Sequence, residues 1–197
     1  MSVYAVRLRL GAALVALTAV MSGCGGDPPS PPPFTPSTVA SSPTSTPTST
    51  PTGTGPVEPV LPDAAKAPTA AGAEAFARFY WEMAAYAQSS GDTSGVRPLG
   101  AITCAPCSAG ASGIDRVYHD GGVIRGGEYA TTVVRSVNIS SEQTRAMRVV
   151  LTVRTNAQEV DYPGTKRDRQ SAAGTNRIAM ILNFLDGGWT TVSWEVL

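Results

Sequence analysis

Hydrophobic positions along this chain follow one period and then another. In "APTAAGAEAFARFYWEMAAYAQSSGD", Phe76, Phe79, Tyr80, Met83 and Ala87 fall at i, i+3, i+4, i+7 and i+11. That spacing is one stripe of an α-helix. Thr69 stands at its N-cap position, and Ser90-Gly91-Asp92 stops it. The stripe reads as the core-facing side of the helix, with a pocket lining as the alternative. Trp81 falls off the stripe, at a rim or pocket position. "DTSGVRPLGAIT" is rich in turn residues, and Pro98 limits it to a short helical turn. A second helix is predicted from about Pro106 to His119. Ile114, Val117 and Tyr118 form its stripe, and Gly121-Gly122 ends it.

After Gly122 the period becomes two. "EYATTVVRSVNI" places Tyr129, Thr131, Val133, Val137 and Ile139 on alternate positions. In "RAMRVVLTVRTNA", Met147, Val149, Leu151 and Val153 share one face, with Arg148, Thr152 and Arg154 on the other. "NRIAMILNFL" aligns Ile178, Met180, Leu182 and Phe184, and "WTTVSWEV" aligns Val192, Trp194 and Val196. Each alternation predicts a half-buried strand. Asp186-Gly187-Gly188 marks a hairpin turn, and "DYPGTKRDRQSAAG" reads as a long charged connection. Helices followed by antiparallel strands predict an α+β fold, with helices packed on one sheet face.

The first 62 residues follow neither period. Arg7 and Arg9 precede an apolar run from Leu10 to Met21. That run has the length of a signal-peptide core and is too short to span a bilayer. The segment from Gly25 to Pro62 is nearly all Pro, Thr, Ser and Gly, with Asp27 and Glu58 its only charged residues. Such a segment buries too little apolar surface to offset the entropy of ordering, and its prolines favour an extended spacer. The division expected is a signal peptide over 1–23, a tether over 24–62 and a globular domain over 63–197.

Charge adds an exclusion. Fifteen basic and fifteen acidic residues balance, and no basic run suggests nucleic acid.

Met21-Ser22-Gly23-Cys24 resembles the lipobox of bacterial lipoprotein precursors. The resemblance implies lipidation of Cys24, cleavage before it and acylation of the new amino terminus. The expected location is the outer face of the cell membrane, with the lipid as anchor. Removing Cys24 from the three cysteines leaves Cys104 and Cys107 as an even pair in a disulfide-permissive compartment.

Three readings compete for Cys104-Ala105-Pro106-Cys107. A redox couple would place the first thiolate at a helix N-terminus directly after a strand, and no strand pattern precedes it. A zinc site lacks partners, since His119 is the only histidine. A structural staple fits best, with Pro106 suited to the first helical turn.

Two helices followed by four long strands resemble the nuclear transport factor 2-like, or cystatin-like, cone. The resemblance implies a curved four-stranded antiparallel sheet. More narrowly, residues 63–197 resemble an uncharacterised domain family of actinobacterial lipoproteins. The carrying features are the lipobox, the Pro/Thr tether, "FARFYWEMAAYAQSSGDTSGVRPL", "CAPC" and "GGVIRGGEY". That family carries over no catalytic residue. The wider fold hosts isomerases, cyclases and non-catalytic binding domains, and it often dimerises through its open sheet face, which implies a homodimer here.

Acid–base chemistry in such a domain has Asp115, His119, Asp120, Glu128 and Glu195 as candidates, with His119, Asp115 and Glu128 foremost. His119 also fits a helix end and Asp120 a turn. Arg148 and Arg154 share a strand face and can bind an anion or simply face solvent. Trp189 and Trp194, five apart on one strand, are expected on opposite faces. No cofactor or metal is implied. The leading expectation is a non-catalytic module that binds an extracytoplasmic protein or a small apolar ligand. An isomerase-like enzyme using the cone cavity and a thiol–disulfide oxidoreductase are the alternatives.

Overall fold

The computed structural model describes residues 55–165 and 167–197. The segments expected to be a signal peptide (1–23) and a tether (from 24), with the expected lipidation site Cys24, lie outside the described residues as far as residue 54. Helix α1 runs Ala70–Ser90 and α2 runs Ala105–His119, with short 3-10 turns at Asp63–Lys66 and Arg97–Leu99. Seven strands follow: β1 Val123–Gly126, β2 Tyr129–Asn138, β3 Arg145–Thr155, β4 Gln158–Asp161, β5 Arg169–Ser171, β6 Gly174–Leu185 and β7 Gly188–Val196.

Local chemistry sets the helix ends. The Thr69 hydroxyl accepts a hydrogen bond from the Gly72 N–H, and Gly91 closes α1 in the left-handed conformation. Phe76, Phe79, Tyr80, Met83 and Ala87 are all buried. Trp81 is buried too, so α1 is covered over a wider arc than its stripe.

The expected cone is not formed. The strands make two separate antiparallel sheets, one of four strands in the order β2-β3-β6-β7 and one of three in the order β1-β4-β5. Neither the single curved four-stranded sheet nor the nuclear transport factor 2-like likeness survives this topology. Three two-residue joints connect the sheets: Gly127-Glu128, Asn156-Ala157 and Ala172-Ala173. Gly126 and Gly127 both adopt positive φ, 67° and 77°. Two left-handed residues in succession turn the chain out of the sheet, and only glycine takes that backbone without cost. The small sheet escapes sequence patterning because its strands are three or four residues long and carry charges. β5 lies inside the stretch read as a charged connection.

The four-stranded sheet packs one face against the helices. Met147, Val149, Leu151 and Val153 of β3 and Ile178, Met180 and Leu182 of β6 are buried there. Two bulges overturn the expected alternation. In β2 the register shifts between Val133 and Arg135. Beyond it Ser136 and Asn138 take the inner positions, and Val137 and Ile139 turn out, each 43% exposed. In β7 the register shifts where Ile181 pairs with Ser193 but Leu182 pairs with Thr191. An extra residue flips every later side chain to the other face. Trp189, opposite Phe184, and Trp194, opposite Met180, therefore lie on the same inner face, contrary to the expectation of opposite faces. Asp186 and Gly187, both at positive φ, make the tight turn joining β6 to β7.

Candidate functional site

Where α1 and α2 meet the inner sheet face, large aromatic residues stand opposite small ones. α1 presents Tyr80, Trp81 and, farther along the same side, Ala84 and Gln88. α2 presents Gly110 and Ala111 across from them, and Tyr129 and Trp194 come from β2 and β7. The mismatch leaves a pocket of about 160 Å³. Trp81 packs edge-to-face on Tyr80, Tyr129 and Trp194 at centroid distances of 5.7, 5.0 and 5.5 Å. The β7 bulge is what delivers Trp194 to this cluster.

The pocket carries no charge. Burial pushes the Tyr80 hydroxyl above its ordinary range; the nearby Trp194 indole opposes this and Tyr129 adds to it. Burial also raises Tyr129, partly offset by Gln88. Both phenols stay neutral at physiological pH. Gln88 holds the floor together: its Nε2 donates to Tyr129 Oη at 2.6 Å, its Oε1 accepts from Gln158 Nε2 at 3.1 Å, and its backbone carbonyl accepts from Tyr118 Oη at 2.6 Å. One side chain thus ties α1 to both sheets. Its signal in the sequence is a glutamine in line with Tyr80 and Ala84, where the helical stripe calls for an apolar residue.

Two donors in the cluster are unsatisfied. The indole N–H groups of Trp81 and Trp194 are enclosed and have no hydrogen-bond partner among the described residues. The Trp194 N–H is close to Tyr80 Oη without the geometry of a hydrogen bond. An enclosed N–H without an acceptor costs about 1–3 kcal/mol, and natural proteins rarely leave one unless a water or ligand completes it.

Cys104 and Cys107 are joined by a disulfide, with Cα atoms 5.3 Å apart. Cys104 caps the start of α2 and is fully buried, and half-buried Cys107 forms part of the pocket wall. The preceding loop is tied to β7, since Ala101 N donates to Thr191 O at 2.8 Å. Thiol exchange needs an accessible sulfur; Cys104 is enclosed, and Cys107 is the partner a thiol or reductant would reach. Reducing the bond is expected to lower stability by about 2 kcal/mol, the loop-closure value for four residues. Thermal unfolding with and without reductant checks it; an unchanged midpoint would show that the bridge contributes nothing.

The acid–base candidates do not converge. Asp115 pairs with Arg97 and accepts from Thr93 Oγ1 at 2.7 Å. Chiefly that Thr93 bond, then Arg97, hold its carboxyl below the usual range against some desolvation. Glu128 is lowered by a hydrogen bond from Asn156. Both remain ionised at neutral pH and so are unsuited to proton donation. His119 is exposed at the end of α2, and Asp120 is that helix's C-cap. Glu195 lies on the open sheet face, 3.6 Å from Arg148. Arg154 is exposed on that same face. Among the described residues no group of three or more His, Cys, Asp and Glu is placed to hold a metal.

A profile described as a family of unknown function, DUF6318, matches residues 48–195. The chain belongs to this family. No curated protein matches it. Among solved structures, the intermembrane space region of the chloroplast protein ARC6 is similar in backbone at 14% identity. The match covers 66% of this chain and 96% of that one, with a TM-score of 0.46. No helix among the described residues of this DUF6318 member is long and apolar enough to cross a membrane.

Proposed function

We propose that this DUF6318 protein is a lipid-anchored extracytoplasmic binding module, non-catalytic, whose aromatic pocket takes a small uncharged group bearing a hydrogen-bond acceptor. The unsatisfied Trp81 indole N–H, on a side chain only 6% exposed, carries this reading. Its neighbours are rings and small apolar residues, so the occupant has an apolar body. The walls hold no charge to neutralise an ion, and burying an unpaired ion is costly. A cavity of about 150 Å³ holds a benzene-sized molecule, which sets the size. A free ligand or a side chain of a partner protein meets the same description. Anchoring is supported by the lipobox resemblance at Cys24, and an oxidising compartment by the Cys104–Cys107 bridge.

Saturation-transfer NMR with benzamide, benzoate and benzylamine tests the pocket. Benzamide is expected to bind and the two ions to bind at least tenfold more weakly. Trp81→Phe keeps a ring but removes the donor, and should weaken benzamide about fivefold, the value of one ordinary hydrogen bond. Ala111→Val fills the space and should abolish the signal. Equal binding of all three probes, or binding untouched by Ala111→Val, would refute the assignment.

A further inference from the structure

Three arginines meet on the opposite side of α2, at a place no sequence pattern marks. Arg116, on the outer side of α2, faces Arg167 from the connection between β4 and β5 and Arg169 at the start of β5. With Tyr162 they line an open pocket of about 390 Å³. We propose that this pocket binds a doubly charged phosphate group.

Tyr162 organises the arginines. Its side chain is buried, and its backbone N–H donates to Asp168 Oδ1 at 2.8 Å, which fixes the turn between Tyr162 and Arg169. The Arg167 guanidinium lies over the Tyr162 ring, 4.3 Å from the centroid. The Arg169 Nη2 donates to Tyr162 Oη at 3.4 Å. One ring therefore holds two guanidiniums, one on its face and one at its hydroxyl.

The charges there are not balanced from within. Arg167 reaches Asp120 Oδ2 at 3.4 Å, a long contact. Arg116 and Arg169 have no carboxylate within ion-pair distance among the described residues. Three guanidiniums against the Asp120 and Asp168 carboxylates leave a net positive charge, and two of the three have no ion-pair partner among the described residues. Like charges held together repel, and a dianion among them removes that cost. Guanidinium forks match phosphate oxygens in pairs, and several forks converge better on a tetrahedral dianion than on a planar carboxylate. A phosphate monoester has its second pKa near 6, so it is largely dianionic at neutral pH. This site is separate from the aromatic pocket and stands or falls without it.

Isothermal titration at constant ionic strength decides the matter, with inorganic phosphate, glycerol phosphate and acetate as probes. Both phosphates are expected to bind, and acetate at least tenfold more weakly. Glycerol phosphate binding at least as tightly as inorganic phosphate assigns an ester; the reverse assigns the free ion. Arg116→Ala and Arg169→Ala should each weaken phosphate about tenfold, as expected for losing one charged hydrogen-bonding partner. Arg169→Lys should recover only part of that loss, because it keeps the charge and loses the fork. Arg177→Ala, on the open face of the large sheet, controls for simple charge and should change nothing. The proposal is overturned if neither phosphate binds, if acetate matches phosphate, or if Arg177→Ala costs as much as Arg169→Ala.

Discussion

Trp81→Ala is expected to lower unfolding stability by about 3–5 kcal/mol, the range for deleting a large buried aromatic. The indole is 6% exposed and packs edge-to-face on three other rings. Its loss removes that whole set of contacts and merges the vacated space with the adjoining pocket. The space cannot collapse easily, because Tyr129 is held by Gln88 and Trp194 by its pairing opposite Met180. The unsatisfied indole N–H offsets part of the cost, since alanine removes that buried donor too. For a domain of this size the midpoint should fall by roughly 10–20 °C. Thermal and urea unfolding measure it, and Trp81→Phe should cost much less because a ring remains. A fall of under about 1 kcal/mol for Trp81→Ala would mean that α1 does not pack against β2 and β7 as described.

The second large effect is a backbone one. Gly126→Val should cost about 2–4 kcal/mol from two sources. A β-branched residue is strained at a φ of 67°. Its Cβ would also run into the Ala157 carbonyl oxygen, a backbone atom that cannot swing aside. The joint between the sheets would have to open, and with it the pairing of Gly126 with Gln158. Gln158 in turn donates to Gln88, so the change should reach the floor of the aromatic pocket. Hydrogen exchange gives a specific readout: amides of β1 and β4 should lose protection before those of β3 and β6. Uniform loss across both sheets, or none, would contradict the two-sheet description.

Both substitutions act at places where the sequence gives partial information. Trp81 is visible as a residue off the helical stripe, but its neighbours are not, because they come from strands far along the chain. Gln88 is visible only as an exception on a helix row. Trp194 is on the pocket side because of an extra residue near Val192. Nothing in "WTTVSWEV" announces that residue, since a bulge changes how strands pair and leaves the local alternation of residue types intact. The bulge after Val133 likewise sends Val137 and Ile139 outward from a pattern that reads as an inner face. The arginine cluster is harder still. Arg116 sits in the last turn of one helix while Arg167 and Arg169 belong to a stretch that reads as a long charged connection, and only the pairing of β4 with β5 folds that stretch back.

By itself the sequence determined what depends on neighbours a few residues away. The capped helix from Thr69 to Gly91, the second helix ending near His119, the long strands and the Asp186-Gly187 turn all rest on local sterics and on periods of 3.6 or 2. Tertiary structure alone decided which way each strand faces after its bulge, where the paired strands break into two sheets, and which distant side chains share a pocket. Those outcomes depend on pairing energies between segments far apart in the chain, and a period counted along one strand carries no information about its partner's register.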